Sequence, residues 1–157
     1  MKREIKFRAK SLNTLKLVYG DLRQCGKRKF VEYEVNPDTV GQFVGLYDNN
    51  GKEVYEHDYI SINYKYDDIV NGCAVPDQDC ICEGEVVYMD GFACFCLRLC
   101  KAEYPINQEL EKCPYLTIPL LQFDLECESI EVLGNTFDNP ELLKHIDYLR
   151  FASEDYR

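Results

Sequence analysis

Nine cysteines, two histidines and a short run of acids are the residues of this 157-residue chain whose types could do chemistry. The cysteines come first. Cys80-x-Cys82 lies in an Asp-rich stretch, and Cys94-x-Cys96 lies in an apolar one, with Cys73 and Cys100 nearby. Four thiolates can hold zinc tetrahedrally. Structural zinc sites, however, space their paired ligands by about two to four residues on a turn, so that both sulfurs reach one ion. A C-x-C on a strand puts two sulfurs on one side without that turn. Free cysteine also packs as a small hydrophobe. The expectation for Cys73, Cys80, Cys82, Cys94, Cys96 and Cys100 is therefore buried or loop thiols and no bound metal.

His57 and His145 sit in no nucleophile or zinc motif, for the chain has neither G-x-S-x-G nor H-E-x-x-H. Both are expected at the surface, His57 in a turn and His145 on a terminal helix. Glu53, Glu56 and Asp58 are close enough in sequence for acid–base work or cation binding. A run of acids at a strand entrance is more often a solvated rim, and that is the expectation here. Asp48-Asn49-Asn50-Gly51 lacks the alternating ligands and distant Glu of a calcium loop. No catalytic, cofactor-binding or metal residue is assigned, and neither an enzyme nor a cofactor is expected.

The elements that carry these residues are mostly strands. The segment Thr39 to Ile62 organises them: strand, tight turn at Asp48–Gly51, strand. Gly and Asn suit a turn that needs positive φ. Residues 3–9 alternate, with Arg3, Ile5, Phe7 and Ala9 on one face and Lys2, Glu4, Lys6, Arg8 and Lys10 on a wet one. Strands are also expected over Leu15–Leu22, Phe30–Val35, Gly84–Tyr88, Phe92–Leu99 and Glu128–Leu133. Two stretches look irregular, at about 63–83 and 101–125. The first is Asp-rich without a period and reads as a long loop. The second holds Pro105, Pro114 and Pro119, with room for a helical turn over Asn107–Lys112 and an edge strand over Leu116–Phe123. A short helix near 140–150 closes the chain. Asn139 would cap it, Pro140 would occupy its first position, and Leu142, Leu143, Ile146 and Leu149 would form its apolar stripe.

Length and composition bound the rest. A chain of 157 residues, 46% hydrophobic, makes one domain with a real core and buries about 70% of its unfolded surface. No stretch approaches the roughly 18 apolar residues of a membrane helix. No apolar run follows Met1-Lys2-Arg3-Glu4, so no secretory signal is read and a cytoplasmic location is expected. An odd cysteine count fits reduced thiols better than a disulfide framework. Charge is uneven. Residues 1–30 hold ten Lys/Arg against two Asp/Glu, and the remainder hold eight against twenty-six, for a net of −10. The basic end can fold against the acidic body of its own chain or of a second copy, or it can bind nucleic acid. Twelve tyrosines and eight phenylalanines with no tryptophan lean toward a contact surface.

Three blocks carry a family resemblance. Thr39-Val40-Gly41-Gln42-Phe43-Val44-Gly45-Leu46, Asp48, Asn50-Gly51-Lys52-Glu53 and Tyr55-Glu56-His57-Asp58 resemble a signature of the YopX family of phage and prophage proteins. The opening Arg3-Glu4-Ile5-Lys6-Phe7-Arg8-Ala9 is similar to the family's start. Ile130-Glu131-Val132-Leu133-Gly134-Asn135 and Asn139-Pro140-Glu141-Leu142-Leu143 are similar to its end. The resemblance spans nearly the whole chain. It implies a β-dominated fold, a mobile-element origin and no enzyme activity. The chain departs from the pattern at His57, where a Gly is usual, and over 101–125, which is longer than the family norm.

The fold expected is mainly β, an antiparallel barrel- or sandwich-like single domain over 1–157 with one short C-terminal helix. The function expected is a non-enzymatic phage or prophage accessory protein acting by protein–protein contact and self-associating, with a host or phage protein as a further candidate partner. The alternative is a nucleic-acid-binding protein using the basic N-terminal strands, with a metal-dependent enzyme as a weaker one.

Overall fold

A computed structural model describes residues 4–113, 116–123, 125 and 129–143. The fold is mainly β, as expected, with three antiparallel sheets among the described residues. The first runs β2 (Leu17–Gly20), β1 (Phe7–Lys10), β6 (Gly41–Tyr47), β7 (Glu53–Tyr55). The second is a small meander of β3 (Arg23–Cys25), β4 (Arg28–Val31) and β5 (Tyr33–Val35). The third is the largest, in the order β11 (Thr117–Pro119), β10 (Cys94–Ala102), β9 (Cys73–Met89), β8 (Asp58–Val70), β12 (Ile130–Asn135). One α-helix, α1 (Ile106–Lys112), is present among the described residues.

Burial explains the layering. Val54, with half-buried Val44 and Leu46, packs against Ile60, Ile62, Val86, Leu97 and Leu99 of the large sheet, and Leu110 of α1 and Phe123 join them. A second core of Ala9, Val31 and Val35 holds the meander onto β1. On the other face of the large sheet, Tyr59 and Cys100 are covered by Leu142 and Leu143.

The structure corrects the sequence reading in three places. Residues 63–83 are not a loop. They are the far halves of β8 and β9, paired from Asn63↔Ile81 out to Val70↔Cys73. Asn71 and Gly72 both have positive φ, 52° and 77°. Two such residues are what a two-residue hairpin of strongly twisted strands demands, and Asn-Gly is its commonest filling. The predicted strand Phe30–Val35 instead folds back on itself at Glu32 (φ 61°), pairing Val31 with Tyr33. Val31 and Val35 are buried while Tyr33 is exposed, because the reversal breaks the expected shared face. The strand expected over Leu15–Leu22 is shorter, and the chain leaves it for the meander at β3. The helical turn expected over Asn107–Lys112 is α1, extended by one residue to Ile106. The chain end opens with a 3-10 turn over Pro140–Leu143, and the rest of the expected terminal helix, with His145, Ile146 and Leu149, lies outside the described residues.

Within 101–125 the expected edge strand is real but brief. Thr117–Pro119 pairs with Arg98–Cys96 and then tightens into a 3-10 turn over Leu120–Phe123. Where β9 passes β10, a Cβ on Gly84 would come within 2.1 Å of the Arg98 carbonyl oxygen, so only glycine admits this approach.

Candidate functional site

The acids expected at a solvated rim meet the basic strand expected to be wet, and neither expectation survives. Strand β7 ends at Tyr55, the chain turns through Glu56 and His57, and β8 starts at Asp58 in a different sheet. This corner is where the first and third sheets join. The Arg8 guanidinium reaches it from β1, donating from Nη2 to Asp58 Oδ1 at 2.6 Å and to the Glu56 carbonyl at 3.3 Å. Arg8 is 3% exposed and Asp58 1%. The second Asp58 oxygen accepts the Tyr55 N–H at 2.8 Å. The guanidinium also lies over the Tyr55 ring, 4.9 Å from its centroid. Burial pushes the Asp58 carboxyl up, and the Arg8 charge with the Tyr55 N–H pulls it back.

The neighbouring acids are engaged too. Glu53 pairs with Lys6, and Glu56 accepts the Gln42 N–H at 2.9 Å. Lys10 pairs with Asp138. Of the cations expected on a wet face, Lys6, Arg8 and Lys10 thus each hold a carboxylate of the chain's own body. Sequence reasoning missed Arg8 because period two placed it among lysines. The signal lay in its partner: Asp58 stands between Tyr55 and Tyr59, where a carboxylate needs a cation.

His57 is in a turn as expected, but it is not a surface residue. Its φ of 74° is in the left-handed region, which explains why glycine is usual at this place. The ring is half-buried against Phe137, with centroids 5.0 Å apart. Nε2 donates to the Val40 carbonyl at 3.1 Å, and Nδ1 lies 3.6 Å from Glu85 Oε2. Burial pulls its basicity down, but the Glu85 carboxylate and Val40 carbonyl more than offset this and hold it above the ordinary histidine range. Its backbone joins three elements, donating to the Val86 carbonyl at 2.8 Å and accepting from Thr136 at 2.9 Å.

The cysteines do not converge. Cys80 and Cys82 face the main core with sulfurs 3.9 Å apart, and Cys94 and Cys96 form a separate pair at 3.8 Å. The strand register keeps the pairs apart: Cys82 lies opposite Ala102, and Cys96 opposite Val87. Cys100 is buried beside Tyr59, and Cys73 is exposed at the hairpin tip. Burial pushes Cys96 up to about 11 and Cys100 up to about 12, so both stay thiols at neutral pH. Among the described residues no three His, Cys, Asp or Glu side chains gather as metal ligands.

What remains free is surface. Beyond Ile62 and Ile81, β8 and β9 pair as strands only with each other among the described residues, as a two-stranded ribbon past the edge of the large sheet, with the Glu103 N–H donating to the Ile81 carbonyl at its base. Its base is anchored by rings, with Tyr64 against Phe123 and Tyr66 against Tyr104. Its tip presents Ile69, 75% exposed, and Val70, 49% exposed. Residues 63–81 carry four aspartates against one lysine. At the opposite extreme of charge, residues 23–29 hold Arg23, Lys27, Arg28 and Lys29 with no acid, in the exposed β3–β4 hairpin, where Arg28 is paired with Glu34 of β5 and the other three are in no ion pair among the described residues. An apolar groove of about 310 Å³ also opens between β6 and the 3-10 turn, lined by Val44, Leu46, Phe95 and Leu121 among others.

No helix among the described residues is long and apolar enough to cross a membrane. No curated relative matches the chain. A family model described as "YopX protein" matches residues 3–144 and so takes in β1, the corner at Asp58, the ribbon and β12. The chain belongs to the YopX family.

Proposed function

We propose that this protein is a non-enzymatic phage or prophage accessory protein of the cytoplasm that works through protein–protein contact, and that its first partner is a second copy of itself. The observation that carries the reading is the acidic ribbon with its apolar tip. An isolated two-stranded hairpin is marginal in water, and Ile69 and Val70 gain little where they stand. The exposed β3–β4 hairpin offers the complementary charge on the same chain. A ribbon on one copy meeting a basic hairpin on the next is a head-to-tail contact, which closes into a ring or runs on as a filament.

Two further observations support the reading over its alternatives. The carboxylates with the best catalytic spacing, Glu53, Glu56 and Asp58, are each engaged in holding the fold. Three of the N-terminal cations that would approach a phosphate backbone are paired internally, and counterion release needs them free.

Light scattering across concentration and salt tests it. A mass above one chain at low salt, falling as salt rises, is expected, since exposed charges are screened beyond about 8 Å at physiological ionic strength. Changing Arg23, Lys27 and Lys29 together to Glu should abolish the larger species. Adding Asp67→Lys and Asp77→Lys to that variant should restore it. A monomer mass at every salt and concentration overturns the proposal. Salt-sensitive capture of duplex or single-stranded oligonucleotides by the monomer would install the nucleic-acid reading instead.

A further inference from the structure

Beside the corner lies a recess of about 200 Å³ walled by Arg8, Tyr19, Lys52, Glu53 and Tyr55. Four of these five residues come from two of the three sequence blocks that carry the family resemblance, one block on β1 and one on the β6–β7 hairpin. The recess is rich in donors that the protein itself leaves unused. Tyr55 is 2% exposed, yet its hydroxyl has no hydrogen-bond partner among the described residues. A buried hydroxyl without a partner costs stability and is rare in native proteins. Arg8 makes both of its hydrogen bonds through Nη2, so Nη1 and Nε have no protein acceptor among the described residues. Lys52 forms no ion pair among them, in contrast to Lys6 and Lys10. The one carboxylate in the wall among the described residues, Glu53, is covered by Lys6.

We propose that this recess binds the carboxylate of a small organic acid. Neutral and cationic donors belong to the residues of its wall: the Tyr55 phenol, the Lys52 ammonium and the edge of Arg8 that no protein acceptor among the described residues takes. Charge-assisted bonds of this kind are the strong ones. The size excludes a nucleotide or drug-sized ligand, whose pockets run from about 300 Å³ upward. A carboxylate fits better than a phosphate on two counts. A single charge suits one unpaired lysine beside Glu53, and the rings of Tyr19 and Tyr55, 5.6 Å apart and edge to face, offer an apolar wall to an organic body. Burial and Glu53 push the Tyr55 phenol up to about 12, so it stays protonated and can donate. The inference is independent of self-association.

The test is a titration of the ¹⁵N-labelled full chain with acetate, benzoate and inorganic phosphate, against chloride at matched ionic strength. Saturable shifts confined to the amides of 8, 19 and 52–55 are expected with acetate and benzoate. Tyr55→Phe should weaken binding about tenfold or more, as loss of a hydrogen bond to a charged acceptor does. The same variant should unfold at an equal or higher temperature than wild type when no acid is added, because the hydroxyl it deletes has no protein partner. Lys52→Ala should weaken binding with no change in fold. Shifts no different from those of chloride overturn the proposal, as do equal affinities in wild type and Tyr55→Phe. Tighter binding of phosphate than of either acid overturns the carboxylate assignment. A destabilised Tyr55→Phe would show that the hydroxyl serves the fold, and would overturn the proposal as well.

Discussion

Two regions of this molecule, a corner between sheets and a hairpin ribbon, each hold a basic side chain against an aspartate, and they differ in almost everything else. At the corner between β7 and β8, Asp58 is 1% exposed and receives Arg8 from another strand and the Tyr55 N–H from its own turn. On the ribbon, Lys65 and Asp79 face each other across the β8–β9 pair, with side chains 55% and 59% exposed. The chemistry of the two pairs is alike and the solvent is not. A charge taken from water is costly unless its partners stay in place, so the corner pair dictates where three elements meet. A charge left in water gains little from its partner and remains available to a third party. The first region fixes the fold, and the second is left for use.

The comparison breaks most easily at Arg8. Replacing it with Ala leaves Asp58 buried and unpaired, and removing one partner of a buried pair costs about 3–5 kcal/mol. Urea denaturation should show that loss at pH 7. Arg8→Met combined with Asp58→Asn should recover much of it, because Asn still accepts the Tyr55 N–H and no charge remains buried. A cost for Arg8→Ala as small as that of a surface pair would place the corner and the ribbon in one class.

The same contrast explains what the sequence could be made to say. The β6–β7 hairpin and the β9–β10 hairpin are legible because their turns carry Gly or Asn and their strands carry apolar side chains. The ribbon was hidden by its aspartates, which read as loop, although Asp67, Asp77 and Asp79 are exposed residues of paired strands. Its own signals were there: Tyr64-x-Tyr66 and Cys80-x-Cys82 keep period two, and Asn71-Gly72 is a hairpin turn. The corner was illegible for a different reason. Burial of Arg8 and Asp58 depends on β1 and β8 meeting fifty residues apart in sequence, and alternation within β1 says only that Arg8 faces away from Ala9. The reversal at Glu32 has no local warning, since a glutamate at φ 61° is placed by the packing of Val31 and Val35 on Ala9.

His57 stands between the two regimes, half-buried and able to change charge. Its folded state favours the imidazolium, because Glu85 and the Val40 carbonyl both face the ring. A histidine held above its unfolded value contributes stability that is fully present below about pH 6.5 and is lost as pH rises through the folded value. His57→Gly removes that contribution and relieves the left-handed backbone. The variant should therefore be destabilised at pH 6, by about 1 kcal/mol as for one ordinary net hydrogen bond. At pH 9 it should match or exceed wild type. Melting temperatures of both proteins across that range decide it, and a pH-independent difference would remove the ion pair from the account.

The smallest effect on stability is expected at Lys65, and it is the most informative about use. Lys65 holds Asp79 below the ordinary carboxylate range through a direct contact, with Asn63 assisting. Both side chains stand in water, where an ion pair exchanges one set of good interactions for another. Lys65→Ala should leave the urea midpoint of the monomeric form unchanged within measurement scatter. Its effect should fall on association instead. Without Lys65 the ribbon keeps four aspartates and has no cation of its own, so its field toward a basic hairpin on a second copy strengthens. At low salt the larger species should form at lower concentration than in wild type, and at high salt the two proteins should converge. Weaker association of Lys65→Ala at low salt would mean that the lysine itself makes the contact, and the sense of the charge complementarity would have to be reversed. A large loss of stability would mean that the ribbon is held as tightly as the corner, and the division between a region that fixes the fold and one that is left for use would fail.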